Sequence, residues 1–106
     1  MTDRELLELA AKAVGLHGLT YFDAGAAGGK GMRHDELDWD NWNPLEDDGD
    51  ALRLAVRVFL TVEAEDGFTE VLTGIGMAIT ESHNGDALSA TRRAIVRAAA
   101  EIGRAM

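Results

Sequence analysis

The sequence predicts an α+β domain in which three helices pack on a small antiparallel β-hairpin sheet, in the order α-α-β-β-α. Three observations carry that expectation. Apolar residues recur at helical spacing near both ends of the chain. Residues 59–80 are rich in β-branched and aromatic side chains around an Asp66-Gly67 turn. The 106 residues suffice for one core and are read as one domain, 1–106.

The first helix is read over residues 3–14. Thr2 and Glu5 form a T-x-x-E capping box at its start. Leu6, Leu9, Ala10, Ala13 and Val14 recur on one side, and Gly15 and Gly18 supply the stop. Residues 19–22 suit a further short strand. Residues 24–31, AGAAGGKG, hold four glycines in eight positions. Such a stretch is costly to order and has little to bury, which predicts a flexible loop at about residues 23–34.

Residues 35–50, DELDWDNWNPLEDDGD, carry eight acidic side chains, both tryptophans and the sole proline. Asn43-Pro44 favours a turn. A second helix is expected over about 49–58, with Asp48 as N-cap and an apolar face of Leu52, Ala55 and Val56. Its aspartates gather at the start and Arg53 and Arg57 near the end, the order that suits the helix dipole. The hairpin is expected to pair residues 59–64 with 70–80. Along the second strand Val71, Thr73, Ile75, Met77 and Ile79 share a face that reads as buried. Gly74 and Gly76 on the other face suggest a close backbone approach or a bulge. Asn84-Gly85-Asp86 turns the chain into a last helix over about 87–103, lined by Leu88, Thr91, Ile95, Ala98 and Ile102.

Charge and composition narrow the function classes. Nineteen acidic residues against ten basic ones give a net charge of −9. Such a chain repels nucleic-acid backbones and offers no basic patch, so direct nucleic-acid binding is not expected. It is drawn instead to basic protein surfaces. The absence of cysteine excludes disulfides, thiolate metal sites and a cysteine nucleophile. No run of about 18 apolar residues could span a membrane. The opening MTDRELLELAAK lacks the apolar stretch of a signal peptide, and a cytoplasmic location is expected.

No motif for chemistry is complete. Lys30 after two glycines falls short of a phosphate-binding loop, because the spacing is one residue too small and Gly31 stands where a hydroxyl is needed. The acidic run fails the EF-hand pattern: with Gly49 as the loop glycine, Pro44 would be first and Ala55 last. His17, His34 and His83 lack metal-ligand spacing. Nothing in the sequence joins Ser82 or Ser89 to His83 as a nucleophile and base. No cofactor and no metal are expected. Trp39 and Trp42, large apolar surfaces among carboxylates, are either packed against the sheet edge or anchors for a partner. The candidate partner surface is Asp35, Glu36, Asp38, Trp39, Asp40, Trp42, Glu46 and Asp47. Ala98, Ala99 and Ala100 make a smooth helix surface that a second copy could cover, so a homodimer is also in view.

Three stretches carry a family resemblance: DRELLELAAKA at 3–13, WNPLEDDGDALRLAV at 42–56 and ATRRAIVRAAA at 90–100. Together with the order of elements they resemble the phage ABA sandwich domain, in small proteins of tailed phages and prophages of Gram-negative bacteria. The resemblance covers most of the chain outside residues 17–38. It implies helices covering a small antiparallel sheet and a phage genetic setting, and it supplies no catalytic residues. The function expected from it is that of a non-enzymatic accessory protein that binds a host or phage protein. One alternative is an acidic inhibitor of a nucleic-acid-binding host defence complex, similar in action to an anti-CRISPR. Another is a small metal-dependent hydrolase using the same carboxylates.

Overall fold

The computed structural model describes residues 1–15 and 42–106 in full and the backbone of residues 19–23 and 30–34. The element order is α1 (Asp3–Ala13), β1 (Leu19–Asp23), β2 (Lys30–His34), α2 (Asp48–Arg57), β3 (Thr61–Ala64), β4 (Phe68–Leu72), β5 (Ala78–Ser82) and α3 (Ala87–Ala105). The α+β class and the three helices are as expected. The hairpin is larger than expected, an antiparallel meander in the order β3-β4-β5. A separate hairpin pairs β1 with β2 from Leu19↔His34 to Asp23↔Lys30. The loop expected at 23–34 therefore gives up residues 30–34 to a strand, where cross-strand pairing satisfies the backbone. Residues 24–29 lie outside the described residues.

The long α3 is the centre of the fold. It rests on β4 and β5, and α1 and α2 pack against it. Its sequence allows this because Ala94, Ile95, Val96, Ala98, Ala99 and Ala100 are buried on several sides at once. The three alanines read as a surface for a second copy are thus covered within the chain. Small side chains let helices approach closely, and α1 and α3 are the most extensively apposed pair. Gly103 lies inside α3, which runs on to Ala105. A Cβ there would collide with the backbone carbonyl of Leu9.

Capping follows the local sequence. The Glu5 amide donates to Thr2 Oγ1 at 3.1 Å, and the Ser89 amide donates to an Asp86 carboxylate oxygen at 3.0 Å. The N-cap of α2 is Asp47, one residue earlier than expected, because its carboxylate accepts from the Asp50 amide at 2.7 Å. The preceding turn is held by Asn43, whose carbonyl accepts from the amides of Glu46 and Asp47 and whose side chain accepts from Leu45. The Asn43 amide in turn reaches Asp50 at 2.9 Å.

The strand expected over 70–80 is broken. Thr73–Met77 is a turn, closed by the Thr73 amide on the Met77 carbonyl at 2.9 Å. Gly76 has φ +88°, a conformation glycine adopts without steric cost, and a Cβ at Gly74 or Gly76 would meet nothing. The glycines make a turn and not a close approach. Ile75 and Met77, expected in the core, are consequently exposed, whereas Val71, Thr73 and Ile79 are buried.

Three arginines on α3 each bind a different element. Arg92 donates to Asp48 on α2 at 2.7 Å and to the Leu45 carbonyl at 2.9 Å. Arg93 reaches Asp3 on α1, and Arg97 reaches Glu81 on β5, both at 3.0 Å. These partners are distant in sequence, so the residues off the apolar face of α3 still serve the assembly of the fold.

Candidate protein-binding surfaces

The acidic start of α2 holds the three described members of the expected partner surface. Trp42 is half-buried and packs against the core. Asp47 caps the helix, and Glu46 is exposed. Asp48 and Asp50, beside them, are engaged by Arg92 and Arg53. Capping and ion pairing thus use most of the carboxylates in this stretch. Asp35, Glu36, Asp38, Trp39 and Asp40 lie outside the described residues.

On α2 itself the buried face is Ala51, Leu54 and Ala55; of the face expected from sequence Ala55 is buried, whereas Leu52 and Val56 are exposed. The helix carries two apolar stripes, and α3 takes only one. The other, Leu52, Val56 and Phe59 at i, i+4 and i+7, is left in solvent. Phe59 is 85% exposed and has φ +58°. It occupies the left-handed position that ends the helix: its amide meets the Val56 carbonyl at 3.3 Å and the Leu60 amide meets Ala55 at 2.9 Å, a Schellman arrangement. Glycine is the usual residue there. A phenylalanine costs about 1–2 kcal/mol in backbone strain, and here little burial offsets it. Beside this stripe a groove of about 320 Å³ opens between α2, α3 and β3, with Leu52, Ala55, Val62, Leu88 and Ile95 on its walls.

The sheet offers a second surface. The helices pack on the side of Thr69, Val71 and Ile79. On the opposite side Glu63 stands directly across from Glu70, an arrangement of like charges that disfavours the pairing. Phe68, on the same side, is 40% exposed. Among the described residues Glu63, Glu65, Asp66 and Glu70 form no ion pair. Sequence reasoning missed this cluster because its members are spread over two strands and the turn between them, and only the register places Glu63 against Glu70.

Among the described residues the chemistry-bearing side chains do not converge; His17 and the His34 side chain lie outside them. His83 Nε2 lies 2.8 Å from the buried Thr69 hydroxyl, which also meets Thr91 at 2.7 Å. This network joins β4, the end of β5 and α3. Ser82 turns to Asn84, and the Ser89 amide serves the helix cap, so neither serine is brought to His83 by these bonds. No group of three or more histidines and carboxylates among the described residues could hold a metal ion. None of the described helices is long and apolar enough to cross a membrane. A smaller polar pocket of about 210 Å³ lies between the start of α1 and the Asn43 turn, and its two arginines, Arg92 and Arg93, are already paired with carboxylates. No family model matches the chain, and neither a curated protein nor a solved structure shows significant similarity to it.

Proposed function

We propose that this chain is a non-enzymatic accessory protein of a phage or prophage that acts by binding a host or phage protein with a basic surface. The observation that carries the reading is the open side of the β3–β4 hairpin. Four carboxylates without a cationic partner among the described residues flank the half-exposed Phe68 there. Carboxylates that repel one another in the free protein gain most when a cationic surface covers them. Phe68 would supply the apolar contact that holds the complex, as aromatic residues do at interface centres. The phage setting rests on the resemblance of residues 3–13, 42–56 and 90–100, and the net charge of −9 favours a basic partner.

The test is retention of a partner on the immobilised chain from extracts of candidate hosts, with elution by salt. Wild type should retain a basic protein that is released as ionic strength rises. The variant carrying Glu63→Gln and Glu70→Gln should fold as well as wild type and retain it poorly. Equal retention by both would remove the sheet face from the reading.

A further inference from the structure

We infer that a second copy of this chain covers the β3–α2 flank, through antiparallel pairing of the two β3 edges across a twofold axis. The argument starts with the backbone. The Glu65 amide donates to the Phe68 carbonyl at 2.8 Å, so residue 65 points toward β4. Antiparallel ladders alternate, so Thr61 and Glu63 point the same way and Val62 and Ala64 point outward. Their N–H and C=O groups form the outer edge of the sheet, and among the described residues no strand pairs with it. That edge carries no lysine, proline or bulge; what sets it against pairing is its length of four residues and the charge of Glu63, whose side chain lies on the face away from the helices.

A free edge calls for a strand, and three further features favour the chain's own β3. The side chain of Val62 lies on the groove side, opposite Val71 in the register. A partner strand paired there sets its own Val62 alongside. The groove floor then continues across the axis beneath the exposed Leu52 and Val56 of α2, which belong to the same patch in both copies. A twofold interface requires such self-matching. Charge agrees. Antiparallel pairing brings the beginning of one β3, which follows Arg57 and Phe59, beside the end of the other, which leads into Glu65 and Asp66. Arg57 is exposed and forms none of the ion pairs among the described residues. Finally, charge selects the register. Centring the pair on Glu63 would oppose two like charges, whereas centring it on Val62 sets Glu63 against Thr61 and Glu65 beside Phe59. The strained and exposed Phe59 then gains the cover it lacks in a single copy.

The mass of the full chain in solution, followed by sedimentation or light scattering over a micromolar concentration series, tests this. Wild type should approach twice 11.4 kDa. Val62→Pro removes an amide that no ladder bond to β4 uses, together with the valine side chain on the groove floor, and should raise the dimer dissociation constant by at least about tenfold, with an unchanged far-UV spectrum. Should that variant unfold, charge exchange still decides: Arg57→Glu and Glu65→Arg should each weaken the dimer by several-fold, and the two together should restore it. A wild-type mass near 11.4 kDa up to about 100 μM overturns the inference, and so does a dimer indifferent to these changes. If wild type is monomeric and Val62→Pro abolishes retention of a host protein, the edge serves a foreign strand and the self-pairing is refuted. Mass reads the dimer and retention reads the partner, so the two proposals fail separately.

Discussion

Leu52 and Leu54 stand two residues apart on the same helix, yet Leu54 is 2% exposed and Leu52 is 64% exposed. The contrast extends to two regions of the molecule. Where α1 meets α3, Ala10, Ala99 and Gly103 let the backbones come close, and the apolar surface is used up within the chain. Where α2, α3 and β3 meet, apolar side chains line a groove and no further element among the described residues closes over it. The first region shows what a single core of this size can cover. The second shows apolar surface in excess of that capacity, held in place partly by a strained residue. Excess of this kind marks an interaction surface more often than a folding need.

Four substitutions break or sharpen the comparison. Leu54→Ala should cost about 2–5 kcal/mol, because a fully buried side chain leaves a cavity; chemical denaturation reads it directly. Gly103→Ala should cost about 1–3 kcal/mol even though alanine favours helix, since α1 must move away from the new Cβ. An unchanged melting temperature there would mean that α1 and α3 do not meet closely at Leu9 and Gly103. Phe59→Gly should do the opposite and stabilise the single copy by about 1 kcal/mol, because strain relief exceeds the added unfolded-state entropy. The measurement is best made at low protein concentration, where a dimer contributes least. Leu52→Ala should change the stability of the single copy by no more than about 0.5 kcal/mol. A large loss in that variant would place Leu52 in the folding core and erase the distinction between the two stripes.

Some of this was legible in the residues alone. Caps and turns are local, so Thr2, Gly15, Asp66-Gly67 and Asn84-Gly85-Asp86 marked element ends where the structure has them. Periodicity located all three helices, because α1 and α3 each carry a continuous stripe. The same method places only part of the α2 face: of Leu52, Ala55 and Val56 only Ala55 is buried, because Ala51, Leu54 and Ala55 satisfy helical spacing equally well. It also ran through Thr73–Met77, where alternation persists in sequence although Gly76 turns the chain. Of the expected partner surface, Trp42 proved to be partly committed to the core.

What the sequence determined by itself was the composition of the domain: an acidic chain with three helices, a β-branched segment, and the capping and turn residues that delimit them. These depend on neighbours one to four positions apart, whose interactions survive in any arrangement of the whole. Tertiary structure decided which stripe of α2 faces α3, which carboxylates meet Arg92, Arg93 and Arg97, and which do not. It also decided that Glu63 stands opposite Glu70 and that no other described strand pairs with the outward groups of β3. Each of these depends on strand register or on where a second element lies. A one-residue shift of register would reverse the faces of β3; the alternation of Val62 and Ala64 with Thr61 and Glu63 favours one facing, but which residue of β4 stands opposite Glu63 is decided by the pairing itself.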